Sequence, residues 1–325
     1  LIGLSAVPAV CKRTAAGQGR DDLPSWSDGP AKRSILEFVA RTTRAGSPDY
    51  VAPAERIAVF DNDGTLWCEQ PMYVQLAFAL DRVKVLAKDH PEWKEQEPFR
   101  SVLAGDLPKV AAAGTKRVME LLTATHAGMT TDQFAALAGA WLATARHPRF
   151  DRLYTACVYQ PMLELLAFLR ASAFKTYIVS GGGIEMIRVF SERVYGIPPE
   201  QVIGSMIKIR FETRDGRPVL VRLPEIDFID DRAGKPLGIH KFIGRRPILA
   251  VGNSDGDREM LEWTTAGAGA RLALLLHHTD GEREYAYDRE SPFGRLAQAL
   301  DQAKAAGWQV VDMKADFRRV FAFES

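Results

Sequence analysis

The chain has 325 residues, 46% hydrophobic, 26% charged and 9% aromatic, which excludes disorder and low complexity as its main character. Lys and Arg number 42 against 41 Asp and Glu, a formal net charge of +1; with no basic tract, nucleic acid is not an expected partner. No run of about twenty apolar residues occurs, so no membrane span is expected, and Cys11, Cys68 and Cys157 form no CxxC pair and read as unpaired thiols.

In chain order, residues 1–11 (LIGLSAVPAVC) are apolar and small, and read as the tail of an export signal, with a cytoplasmic product as the alternative. Opening on Leu1, the chain reads as starting partway through a longer product. Residues 12–28 are polar and turn-rich, and read as a linker, so that 1–30 form an N-terminal segment. Five short apolar runs then read as strands buried on both faces: 56–60, 175–179, 201–204, 247–251 and 272–276. Helical spacing marks 161–170, 185–195 and 257–263 between them. This alternation predicts an α/β fold, a doubly wound parallel sheet, with ligands beyond the carboxyl ends of the strands.

Two segments break the alternation. Residues 67–159 are rich in Ala, Leu, Glu and Lys, too long for a simple crossover, and read as an inserted helical lobe. Within 207–229, Ile207, Ile209 and Phe211 alternate, Asp215-Gly216 gives a turn, and Val219, Val221 and Leu223 alternate back, a β-hairpin pattern. The core is then 31–66 and 160–325, with the hairpin inserted at about 205–231.

Chemistry gathers at the strand ends. Asp61 and Asp63 lie two residues apart after the first strand, and Gly64 lets the chain turn away. One strand-tip carboxylate can attack phosphorus, and a second can protonate a leaving alcohol and later deprotonate water. The pair also offers hard oxygens to Mg²⁺. On spacing alone, an Asp-rich turn at a helix start is an equal reading. Ser180-Gly181-Gly182-Gly183 ends the second strand with a hydroxyl and bare backbone N–H groups that suit an anion. Lys208, Lys235 and Lys241 are candidate phosphate-neutralising lysines. After the fourth strand, Gly252-Asn253-Ser254-Asp255-Gly256-Asp257 supplies further oxygens; Asp255 reads equally as a metal ligand or as a cap for the next helix.

The run Phe60-Asp61-Asn62-Asp63-Gly64-Thr65-Leu66 resembles the first motif of the haloacid dehalogenase superfamily of phosphohydrolases, DxDGT, and four separated motifs extend the resemblance over nearly the whole chain. The resemblance implies a Rossmann-like core with a helical cap. It makes Asp61 the nucleophile, forming an aspartyl-phosphate, and Asp63 the general acid/base, whose main-chain carbonyl helps bind Mg²⁺. It gives Ser180, with Gly181 and Gly182, the phosphoryl group to hold. Lys235 suits the family's lysine best, one helix before the fourth strand. Asn253 stands where the family usually has Asp, Asp257 matches the second Asp, and the implied metal set is Asp61, Asp63, Asn253 and Asp257.

The helical insert, the hairpin and SGGG resemble the phosphoserine-phosphatase-like branch, with phosphorylcholine phosphatases similar in layout. That branch reads a substrate amine with an acidic residue near Glu69, so Trp67, Glu69, Gln70 and Tyr73 are expected to face a cationic or polar leaving group. Arg100, Arg117, His126 and Arg146 are further candidates for substrate contacts, and His277 and His278 for the mouth of the site. The implied activity is Mg²⁺-dependent hydrolysis of a small phosphomonoester. A phosphotransferase or mutase, and a non-catalytic phospho-ligand binder, are the alternatives.

Overall fold

The structure, a computed structural model, describes residues 21–106, 109, 120–121 and 123–324. Its strands in chain order are β1 (Ile57–Phe60), β2 (Lys175–Gly183), β3 (Val202–Arg214), β4 (Arg217–Phe228), β5 (Leu249–Gly252), β6 (Leu272–Thr279), β7 (Ala286–Tyr287) and β8 (Gln309–Asp312). They form one sheet in the order β4-β3-β2-β1-β5-β6-β7, with β8 also paired to β6. Pairing is parallel from β3 through β2, β1 and β5 to β6 and on to β8; only β4 and β7 run antiparallel to their neighbours. The expected α/β architecture is therefore present.

Strand periodicity explains why the central runs are apolar throughout. Ala58 and Phe60 join one cluster, beneath the Pro30–Thr43 and Gln160–Ala171 helices. Ile57 and Val59 join the other, beneath the Gly234–Ile243 and Arg258–Thr265 helices. A strand covered on both sides has no solvent face to mark with polar residues.

β3 leaves the parallel sheet after Ser205 and continues into a long hairpin with β4. Asp215 and Gly216 turn it, both with positive φ (50° and 74°), as a two-residue hairpin turn requires. Between β1 and β2 the described chain includes the Val74–Leu86, Phe99–Ala104 and Thr131–Leu142 helices. The last starts on a capping box between Thr130 and Gln133. Leu76, Leu80, Val83, Trp93, Phe99, Val102 and Leu121 build a separate hydrophobic cluster there.

Two expectations are corrected. The described part of the 12–28 segment is no linker: Leu23 and Trp26 are fully buried, and the Trp26 indole donates to the Pro161 carbonyl at 2.9 Å. The 185–195 pattern is two short helices, Ile184–Arg188 and Ser191–Tyr195, broken where Phe190 is drawn into the core to stack on Trp67 at 4.6 Å. β2 runs past Ser180 to Gly183, which caps the Ile184–Arg188 helix. Cys68 and Cys157 are free and buried, while Cys11 and Arg117 lie outside the described residues.

Candidate functional site

The site lies at the carboxyl ends of β1, β2 and β5. Asp61 leaves β1 and donates its N–H to the Val251 carbonyl at 2.9 Å, which sets it beside Gly252 and Asn253. The chain turns at once. The Asn62 carbonyl accepts the Thr65 and Leu66 N–H groups, and the Gly64 N–H reaches the Trp67 carbonyl at 2.9 Å. Gly64 has φ +72°, and a Cβ there would sit 2.1 Å from Asn253 Nδ2 and 2.3 Å from Glu69 Oε1. No other residue type meets both demands.

Lys235 ties the motifs together. Its Nζ donates to Asp61 Oδ1 at 2.6 Å, Asp257 Oδ1 at 2.5 Å and the Val179 carbonyl at 2.9 Å, and the side chain is buried. Burial works against the ammonium, but Asp257 and Asp61 outweigh it and hold its pKa above the ordinary lysine value. Of the three candidate lysines, Lys208 is exposed against Glu225 on the hairpin and Lys241 is exposed on its helix.

Around this centre the groups divide sharply. Asp63 is half-buried, and its Oδ1 accepts the Trp67 indole N–H at 2.8 Å. Ser180 is buried with its Oγ accepting the Gly182 N–H at 3.1 Å, beside an exposed Gly181. Gln75, from the Val74–Leu86 helix, reaches the same loop and accepts the Gly183 N–H at 2.8 Å. Asn253 accepts from Thr65 Oγ1 at 3.0 Å and donates to Glu69 Oε1 at 2.7 Å.

The structure redirects several expected contacts. Trp67 and Glu69 are each 1% exposed: the first faces Asp63, the second Asn253 and the Tyr287 hydroxyl, so neither presents a surface to a leaving group. Gln70 donates to Ser291 and the Phe293 carbonyl; Tyr73, partly exposed, accepts the Gly294 N–H. Asp257 has spent both oxygens, Oδ1 on Lys235 and Oδ2 on the Asn253 and Ser254 N–H groups, so it shapes the loop instead of offering a ligand. Asp255 takes neither expected role: it accepts the Ala297 and Ala299 N–H groups at the start of the Gln298–Ala303 helix. Arg100 pairs with Glu97, Arg146 with Asp151, and His126 is buried against Phe78. His277 faces Asp288, whereas His278 is buried behind the first motif. Gln75, Thr65, Tyr287 and Glu284 are the neighbours that sequence reasoning passed over; only Thr65 stood in a motif.

Electrostatically the pit is short of positive charge. Asp61 and Asp257 share the ammonium of Lys235, and the Asp63 and Glu69 carboxyls stand close enough to Asp61 to repel it. Burial pushes the Asp61 carboxyl well above its usual range, with the Asp257 charge adding to it and Lys235 opposing. Burial likewise raises Asp63, and raises Glu69 strongly. Among the described residues, no three His, Cys, Asp or Glu side chains are grouped to hold a metal by themselves. The oxygens at hand, the Asp61 carboxylate, the Asp63 carbonyl and the Asn253 amide, are hard donors in surroundings of excess negative charge, and so they fit a small divalent cation.

Comparison with known proteins agrees with this geometry. No curated protein matches the chain. A protein of unknown function from Anaerococcus prevotii DSM 20548 is 18% identical, with a TM-score of 0.55 over 86% of this chain and 91% of that one. Another from Bordetella pertussis Tohama I is 16% identical, with a TM-score of 0.50 over 80% of this chain and 99% of its own. At these identities the likeness concerns the fold alone. The family model for haloacid dehalogenase-like hydrolases matches residues 58–262, from β1 through the helix after β5. The chain belongs to the haloacid dehalogenase-like hydrolase family.

Proposed function

We propose that the chain is a Mg²⁺-dependent phosphomonoester hydrolase working through an aspartyl-phosphate on Asp61. The observation that carries this reading is Lys235 bridging Asp61 and Asp257, with the Asp63 carboxyl held separately by Trp67. One carboxylate is tied beside a cation; the other has an environment of its own. Such a pair suits a nucleophile and an acid/base.

In the proposed reaction an Asp61 oxygen attacks phosphorus in line, and the ester P–O bond breaks. Asp63 gives its proton to the leaving oxygen. Asp63 then takes a proton from water as that water attacks the acyl-phosphate. The P–O bond to Asp61 breaks, phosphate leaves, and the Asp61 carboxylate is restored. Lys235, the Ser180 hydroxyl and the backbone N–H groups of Gly181 and Gly182 stabilise charge on the phosphoryl oxygens. Asp61, the Asp63 carbonyl and Asn253 would hold Mg²⁺, which when bound would supply the neutralising charge that lets two anions meet. The helical segment between β1 and β2 acts as a cap, with Gln75 the side chain that reaches from it to the phosphate loop.

The test is Asp61→Asn, assayed with para-nitrophenyl phosphate and a panel of natural phosphomonoesters. Loss of turnover in a folded variant is the expected result; activity above about a tenth of wild type removes Asp61 as nucleophile. An added acceptor alcohol separates hydrolysis from phosphoryl transfer.

A further inference from the structure

Behind the nucleophile loop lies a buried polar hub that the proposed reaction leaves unused. His278, at the end of β6, is 2% exposed, and Glu284 is fully buried. His278 Nε2 lies 2.7 Å from the Gly64 carbonyl, and its Nδ1 lies 3.2 Å from Glu284 Oε2. A carbonyl oxygen only accepts, so Nε2 carries a hydrogen. Glu284 also takes the Tyr285 N–H at 2.6 Å, the Cys68 thiol at 2.9 Å and the Tyr159 hydroxyl at 3.1 Å. A carboxyl surrounded by that many donors is an acceptor toward the imidazole as well. Burial opposes its charge, yet His278 and these donors keep its pKa below the ordinary glutamate value. Nε2 of His278 therefore donates to Gly64 while Glu284 backs the other ring nitrogen, and the ring stacks on Tyr287 at 4.4 Å.

We propose that His278, oriented by Glu284, is the positioning residue of the nucleophile loop: its Nε2–H anchors the Gly64 carbonyl and so fixes where Asp61 and Asp63 point. The anchor lies between the two carboxylates' loop and the strand on the far side of β5. Gly64 has the loosest backbone of the turn, and it is the residue pinned. The inference rests on the hydrolase reading for its consequence, but the anchor exists or fails in the resting protein.

Two measurements test it. Nitrogen-15 NMR of histidine-labelled protein, assigned with His278→Gln, is expected to show a hydrogen-bonded Nε2–H for His278; a bare Nε2 overturns the proposal. The second is steady-state kinetics on a phosphomonoester the enzyme accepts. The amide nitrogen of Gln falls where Nε2 was, and that of Asn where Nδ1 was. His278→Asn is then expected to lower kcat about 100-fold with KM within about threefold, while His278→Gln stays within about tenfold of wild type. Equal losses that follow the melting temperatures, or an unchanged His278→Asn, overturn it. Should His278→Asn not fold, Glu284→Gln decides: loss of the hydrogen-bonded Nε2–H signal with lowered kcat supports the anchor, and the same loss with unchanged kcat contradicts it. A protein that hydrolyses no phosphomonoester refutes the hydrolase reading, and the NMR result still decides the anchor.

Discussion

Asn253 is neutral where the family pattern carries an aspartate, and the Glu69 carboxyl lies 2.7 Å from its amide nitrogen. That contact turns the amide oxygen toward Thr65 and the pit. It also keeps a carboxyl next to the position that lost one. Glu69→Gln preserves shape and replaces the carboxyl by an amide. Calorimetric titration of that variant is expected to show Mg²⁺ binding weakened about tenfold, as for other groups that support a metal ligand from behind; unchanged affinity would show that Glu69 only packs. Trp67 acts on Asp63 in a similar way. Burial raises the Asp63 carboxyl, and the Trp67 N–H opposes the rise by stabilising the ionised form. Trp67→Phe keeps the stack on Phe190 but deletes the donor, so the Asp63 pKa goes up further. The basic limb of the kcat/KM profile, where Asp63 loses the proton it must give, should shift to higher pH. A limb that stays in place would separate Trp67 from the acid/base.

At the scale of elements, Asp230 marks a strain between sheet and site. It precedes the Gly234–Ile243 helix and is fully buried, with the Ser180 backbone N–H as a weak hydrogen-bonding support for its carboxyl. Burial pushes its pKa up to about 7, with Lys235 opposing and Asp231 and Asp257 adding. A carboxyl raised in the folded state binds its proton more tightly there than in the unfolded chain. The native state is thus favoured at low pH, loses this advantage between about pH 4 and about pH 7, and carries the penalty above that. Asp230→Asn should stabilise the protein by a few kcal/mol at pH 8 and far less at pH 5, read from denaturant melts at both. Equal effects at the two pH values would contradict the assignment.

The same scale shows what was legible in the sequence. The strands of the parallel sheet were readable because burial on both faces leaves uninterrupted apolar runs, as at 56–60 and 247–251. The hairpin was readable from alternation around Asp215-Gly216. β8 and the Trp26 anchor were not: Gln309 and Asp312 dilute the pattern of a four-residue strand, and one tryptophan in a polar stretch has no period. Asp61, Asp63, Ser180 and Lys235 were readable because local motifs carry them. The surroundings of Glu69 were not, since Tyr287 and Asn253 come from 218 and 184 residues away. The family resemblance suggested an amine reader, whereas tertiary packing turned the side chain inward.

On the scale of the whole molecule, the sheet brings the ends of β1, β2 and β5 together, and the Gly234–Ile243 helix adds Lys235 from the side. The segment 278–287 closes the back of the site through His278, Glu284 and Tyr287. Helices from the region between β1 and β2 lie at the front, with Gln75 on the Gly183 backbone. Under the proposed mechanism the core would hold the reacting groups, the rear segment would steady them, and the front would be left to choose the leaving group. That choice is not written in Trp67 and Glu69, whose side chains are occupied inside.

The account turns on a covalent bond between substrate phosphorus and Asp61. The direct measurement is acid-quenched enzyme after brief exposure to a ³²P-labelled phosphomonoester and Mg²⁺, followed by peptide mapping. The account predicts a hydroxylamine-labile label on the peptide carrying Asp61, absent from Asp61→Asn. Turnover of the same ester with no label trapped under single-turnover conditions, or a label on another residue, would contradict it.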